Sequence, residues 1–186
     1  MSLVILDSFQ RENNVNISLK KLLVDRKEEF HCFNLKDMNI KRCTGCGACG
    51  DKTPGKCIIN DDMQQVFRSI AKSDWIIMLT ALKFGGYSSQ LKIAVDRFMV
   101  LALPFYFVKK GSLYHRPRYG HKYIVGIALA EENLEGQEVN FNNIVSQNAA
   151  NLDYTGKSIV FNKSDKISEI ENEISKLLQG GKENEE

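Results

Sequence analysis

Trp75-Ile76-Ile77-Met78-Leu79, followed by Thr80-Ala81-Leu82-Lys83-Phe84-Gly85-Gly86-Tyr87-Ser88-Ser89-Gln90, sets the reading of this chain. An unbroken apolar run of this length suits a strand buried on both faces, as in a parallel sheet covered by helices. The glycine pair permits a tight turn and a close approach of backbone to a flat ligand. Ser88 or Ser89 can cap a helix starting there. Leu91, Ala94, Val95, Phe98, Leu101 and Ala102 then recur at helical spacing, with Lys92, Asp96 and Arg97 expected on the wet side. Strand, turn and helix form the unit from which parallel sheets are wound.

The unit recurs along the chain. Leu3–Leu6 reads as a first strand, the polar segment Asp7–Asn16 as a loop, and Leu19, Leu22 and Leu23 as the inner face of a helix. Phe30–Leu35 reads as a second strand. Asp61 with Gln64 gives a box-like helix start, continued by Met63, Val66, Phe67, Ile70 and Ala71. Tyr123–Leu129 and Ser158–Phe161 complete the strands, with helices marked by Phe141, Ile144, Val145 and Ala149, and by Ile167, Ile170, Ile174 and Leu178. The expected class is α/β: a flavodoxin-like, doubly wound five-stranded parallel sheet, order 2-1-3-4-5, with helices on both faces. In that order ligands bind beyond the carboxyl ends of strands 1 and 3, where the winding reverses.

A chain of 186 residues, 43% hydrophobic and 26% charged, is composed like a globular protein. One domain is expected over residues 1–180, with a cysteine-rich insertion at 36–60, an aromatic and basic insertion at 104–120 and a charged tail at 181–186. Lys plus Arg total 25 against 23 acids, a formal charge of +2, which argues against nucleic acid or an anionic membrane as partner. No apolar run approaches the roughly 20 residues of a spanning helix. The start reaches Asp7 too soon for a secretory signal, so a cytoplasmic location is expected. There is no Gly-x-Ser-x-Gly elbow and no P-loop lysine motif, which leaves hydrolase and nucleotidase readings without support. His31, His115 and His121 show no paired ligand spacing.

Gln90-Leu91-Lys92 and Asp96-Arg97, following the Thr80–Tyr87 loop, are similar to the NADPH-dependent FMN reductase-like branch of the flavodoxin superfamily, which includes the iron–sulfur flavoproteins. A cysteine stretch ahead of Asp61-Asp62-Met63 is a second match, in the right order. The resemblance implies that Thr80, Ala81, Leu82, Lys83, Phe84 and Gly85 lie against the ring of an FMN. Ala81 stands where that family commonly has proline, and Lys83 where it has an aromatic or small polar residue. A lysine there either stabilises negative charge on the reduced ring or points to solvent. The first loop, Asp7-Ser8-Phe9-Gln10-Arg11-Glu12-Asn13-Asn14-Val15-Asn16, lacks the glycines of the family's phosphate cradle. Ser8, Arg11, Asn14 and Asn16 still offer donors to a phosphate, while Asp7 and Glu12 would repel it. The alternative is an ordinary polar loop whose asparagines cap a helix.

Cysteines follow the pattern Cys43-x2-Cys46-x2-Cys49-x7-Cys57, with Cys32 apart. Two-residue gaps let thiolates converge from one turn, and a fourth further on closes a [4Fe–4S] cage. A zinc site would more usually bring two separated pairs, and free thiols in a structured loop are the remaining option. Gly45, Gly47 and Gly50 formally match the dinucleotide fingerprint, but neither a buried strand nor a helix flanks them, so the match is rejected. Phe105–Tyr119 interleaves aromatics with Lys109, Lys110, Arg116 and Arg118. Its composition suits a contact with a second subunit, hence a homodimer or higher homo-oligomer. The resemblance implies an FMN-dependent oxidoreductase using NAD(P)H as co-substrate. Its electrons would go to a quinone, flavin, nitro or azo compound, or to a redox protein. The alternatives are an electron-transfer iron–sulfur flavoprotein and a binding module that has lost FMN.

Overall fold

The computed structural model describes residues 2–109, 111–131 and 136–179. Five parallel strands form the main sheet: β1 (Ser2–Asp7), β2 (Glu29–Asn34), β3 (Trp75–Ala81), β6 (Tyr123–Ala130) and β7 (Thr155–Asn162). Their spatial order is β2-β1-β3-β6-β7, the expected 2-1-3-4-5 once an inserted hairpin is set aside. That hairpin is β4 (Ala102–Lys109) with β5 (Ser112–Pro117), an antiparallel pair outside the main sheet.

Alternate residues of the central strands feed two separate cores. Val4, Leu6, Ile76, Met78, Ile124 and Ala128 pack against α2 (Met63–Lys72), α3 (Ser89–Val95) and α4 (Gln137–Ala150). Leu3, Ile5, Ile77, Leu79, Val125 and Ile127 pack against α1 (Asn14–Asp25) and α5 (Ile167–Gln179). Both faces of the sheet are therefore dry, which is why the strands read as continuous apolar runs. Among the described residues no helix is long and apolar enough to cross a membrane. The Gly180-Gly181 stop and the charged tail fall outside the described residues.

Three local expectations are corrected. The helix after β3 is shorter than its apolar pattern implies. It ends at Val95, a 3-10 turn spans Phe98–Leu101, and Ala102 already belongs to β4. Arg97 is not on the wet side; it is 2% exposed and turned inward onto Asp61. At α2 the N-cap position falls on Asp62, whose side chain makes no capping bond. Asp61 Oδ1 accepts from the Met63 N–H at 3.1 Å. Gln64 does not reach back to close a box: its amide donates to the Cys57 and Ile59 carbonyls at 3.0 and 2.9 Å.

Helix α4 lies so close to β6 that Gly126 cannot carry a side chain. A methyl group there would stand 2.5 Å from Val145 Cγ2 and 3.1 Å from Phe141 Cζ. Gly126→Ala is expected to destabilise the fold by about 1–3 kcal/mol through overpacking. Urea unfolding measures it, and an unchanged midpoint would mean that α4 shifts away at no cost.

Candidate functional site

Strands β1 and β3 are neighbours, with Asp7 opposite Leu79, so the loops after them emerge side by side. They are also tied together. Ser88 Oγ donates to Ser8 Oγ at 2.8 Å, and Ser8 Oγ donates to the Leu79 carbonyl at 2.7 Å. The Ser88 N–H donates to Thr80 Oγ1 at 2.8 Å, and Ser88 caps α3 by accepting from the Leu91 N–H. This buried hydroxyl chain fixes one wall of the crevice against the other.

The first wall is built around a helix cap. Asn13 Oδ1 accepts from the Val15 and Asn16 N–H groups, and Asn16 Oδ1 accepts from the Asn13 N–H, a reciprocal capping box. Asn16 Nδ2 donates to Asp7 Oδ2 at 3.2 Å, while Asp7 Oδ1 accepts from the Phe9 N–H. Lys20 stands 3.6 Å from the same carboxylate, so the charge expected to repel a phosphate is partnered. Ser8 and Asn16 therefore spend their donors inside the fold, whereas Arg11 and Asn14 are exposed. The backbone N–H groups of Gln10, Arg11, Glu12 and Asn14 have no partner among the described residues. Asn13 takes the Val15 and Asn16 amides, so of the first turn of α1 only the Asn14 N–H is open, and an anion here would rest on it and on the loop amides that precede the cap.

The second wall is a tight turn. The Lys83 N–H donates to the Gly86 carbonyl at 3.0 Å, and the Gly86 N–H returns to the Lys83 carbonyl at 2.8 Å. Phe84 and Gly85 between them have φ of 50° and 72°, as a type I′ turn requires. Phe84 is 99% exposed at the tip, while Thr80 and Leu82 are buried beneath it. The Gly85 N–H donates to Gln137 Oε1 at 3.2 Å, which fastens the turn to α4. Lys83 reaches Glu131 at 3.5 Å, and Lys163 stands 3.6 Å from the same residue. Lys163 first, then Lys83, hold the Glu131 carboxyl below its usual range. Of the six residues Thr80–Gly85, Lys83 and Phe84 are exposed and Ala81 half-buried, while Thr80, Leu82 and Gly85 are buried. An exposed aromatic at one loop and open N–H donors on the neighbouring loop are the kinds of group that a flat ring and a phosphate need, and in that sense the residues present fit FMN.

The cysteines lie elsewhere, on the 36–60 connection. Cys43 and Cys46 are exposed, Cys49 and Cys57 half-buried. Burial pushes the Cys49 thiol up, with Cys57 nearby adding to the effect. As placed, no group of three or more His, Cys, Asp or Glu side chains among the described residues converges to hold a metal ion. The loop in this conformation therefore does not fit a cluster. Cys43 and Cys49 instead line a cleft of about 610 Å³, closed on its other side by Met99, Pro104, Tyr106 and His115. None of the Thr80–Gly85 residues lines this cleft, so it is separate from the crevice at the strand ends.

The neck of that loop is strongly built. The Asn39 N–H donates to Asp62 Oδ2 at 2.7 Å, and the Lys41 N–H to Asp61 Oδ2 at 2.8 Å. The Asp61 and Arg97 side chains are 0% and 1% exposed and pair at 2.6 Å. Burial pushes the Asp61 carboxyl up, but the Arg97 hydrogen bond and charge together with the Lys41 and Met63 N–H groups outweigh it, and the group stays below its ordinary range. The alternative in which asparagines of the first loop cap a helix is what Asn13 does. Asp61 and Arg97 each stood in a motif that carried the resemblance, but nothing in the sequence paired them.

The sequence profile of the NADPH-dependent FMN reductase family matches residues 10–149, about three-quarters of the chain. The chain belongs to that family. It is 32% identical over 97 residues to an iron–sulfur flavoprotein of Methanocaldococcus jannaschii, covering 50% of this chain and 49% of the relative. It is 33% identical over 77 residues to an iron–sulfur flavoprotein of Methanosarcina thermophila, covering 41% and 39%. The chain therefore spans about half the length, or less, of these curated relatives. Its fold is similar to that of an NAD(P)H:quinone oxidoreductase from Methanothermobacter marburgensis, with TM-score 0.66 and 14% identity over 100% of this chain and 99% of the other.

Proposed function

We propose that the chain is an FMN-dependent oxidoreductase that takes electrons from NAD(P)H, with FMN held between the loops after β1 and β3. The observation that carries this is the run of amides at Gln10, Arg11, Glu12 and Asn14 with no partner among the described residues, on the loop that the Ser88–Ser8 bond ties to the one after β3. What FMN supplies at such a site is two-electron storage between NAD(P)H and an acceptor. The chain's own residues do the holding. The free amides and the Arg11 guanidinium would bind the phosphate, and the Lys83–Gly86 turn would bear on the ring. Glu131 between Lys83 and Lys163 offsets one of their two positive charges and leaves a net positive charge beside the turn. No side chain is assigned as acid or base, because none is placed at the turn for that role. The acceptor class remains a small molecule or a redox protein. Titrating the protein with FMN is expected to quench flavin fluorescence to saturation, and Arg11→Ala to weaken binding roughly tenfold, the worth of one charge-assisted hydrogen bond. No quenching at micromolar flavin would favour a module without FMN.

A second reading, an iron–sulfur flavoprotein with Cys43, Cys46, Cys49 and Cys57 around one [4Fe–4S] cluster, is supported by the names of the relatives. It requires the loop to close. Gly45 and Gly47, with φ of 65° and 68° and open space around them, are where it can bend. Anaerobic reconstitution should then give about four iron and four sulfide per chain. Near-zero iron with every thiol titratable would remove the cluster and leave the flavin reading untouched.

The hairpin supports self-association. Phe105, Tyr106, Val108 and Leu113 are 61–70% exposed, and Arg116 lies 5.0 Å over the Phe107 ring. Apolar patches of this kind are uncommon on monomers, and a closed two-fold contact is the commonest cover. Light scattering should report a dimer or larger assembly, and Phe105→Ser with Phe107→Ser a monomer. A wild-type monomer at micromolar concentration would sink the proposal.

A further inference from the structure

The cysteine loop leaves the fold after Lys41 and returns at Ile59, and one side chain from another element joins the two ends. Arg97 Nη1 donates to both oxygens of Asp61, at 2.9 and 2.6 Å, and to the Lys41 carbonyl at 3.2 Å. Its Nη2 lies 3.4 Å from the Ile59 carbonyl. The outgoing strand of the loop, the returning strand and the carboxylate that also holds the Lys41 N–H are thus gathered on one planar group. The guanidinium carbon sits 5.8 Å over the Phe67 ring, and the Cys57 sulfur lies against the group. Arg97 Nε is buried with no hydrogen-bond partner among the described residues.

Two charges this deep are expensive to bury, and apolar replacements of similar volume commonly do as well for stability. What an apolar pair cannot do is bond two carbonyls from different chain segments at once. Lysine cannot do it fully either, because a point ammonium lacks the planar fork. The arrangement is therefore specific to position. We propose that Arg97 is the positioning residue of the cysteine loop: it closes the neck at residues 41–61 and so sets where Cys49 and Cys57 stand, whatever the thiols bind.

The inference does not depend on a cluster. It also places the control of the loop on the segment just after α3, the helix that begins at the proposed flavin turn. The test uses the full-length protein and two variants. Arg97→Lys keeps the charge and loses the fork; Asp61→Leu with Arg97→Met removes both charges and strands neither. In both, amide hydrogen exchange across residues 41–61 should quicken by about tenfold while β1 and β3 exchange as in the wild type. Site-resolved alkylation should bring Cys49 close to the rates of Cys43 and Cys46, with Arg97→Lys the milder of the two. Wild-type exchange and alkylation in either variant would overturn the proposal. So would acceleration spread equally over the loop, β1 and β3, since that would make the pair a general stabiliser. FMN titration of the wild-type preparation decides the flavin reading separately.

Discussion

Parallel pairing of β1 with β3 is the constraint on which the rest of the molecule depends. The two strands are distant in sequence, and each carries its chain onward at the same edge of the sheet. Because the winding reverses between them, their helices leave to opposite faces and open a crevice that no helix fills. Every feature of the strand-end site follows from that opening. Ser8 can reach the Leu79 carbonyl, and Ser88 can reach Ser8, only because Asp7 and Leu79 are in register. The amides before α1 have no partner among the described residues.

Polar groups inside this fold divide into two kinds. The hydroxyls of Ser8, Thr80 and Ser88 form a chain whose donors end on a backbone carbonyl, which makes it cheap to bury. Asp61 with Arg97 is a costlier arrangement, since both ions give up water for each other and for two carbonyls. It holds together a long connection with little apolar surface of its own. The first kind shapes the strand-end crevice; the second shapes the cysteine loop. They meet on the stretch from Thr80 to Arg97, which contributes to both.

The hairpin illustrates a different balance. Its rings pair across the strands, Tyr106 on His115 at 4.1 Å and Phe107 near Tyr114 at 6.1 Å, yet much of that surface faces outward. The inner side is fixed by the Arg118 N–H and Nη2, which donate to the Leu101 and Ala102 carbonyls, and by His115 Nδ1 at the Leu103 carbonyl. A two-stranded ribbon is marginal by itself, so these anchors to the end of the 3-10 turn are what make it a regular element.

Periodicity was enough for the strands and for both dry faces, because unbroken apolar runs such as Trp75–Leu79 have few other uses in a chain of this length; the order of the strands needed, besides, the handedness of parallel connections and the flavodoxin precedent. The place of the crevice followed from the same pattern. The tight turn at Gly85-Gly86 was legible too, since glycine positions are a local signal. Sequence could not tell which of Ser8, Arg11, Asn14 and Asn16 remain free, because that depends on Leu79 and Ser88, some seventy to eighty positions away. Nor could it turn Arg97 inward. Helical spacing put it beside Lys92 and Asp96 on the solvent face, and only the early end of α3 aims it at Asp61. Local chemistry is written in neighbouring residues, but the partner of a buried polar group is chosen by long-range contact, and that choice belongs to the tertiary structure.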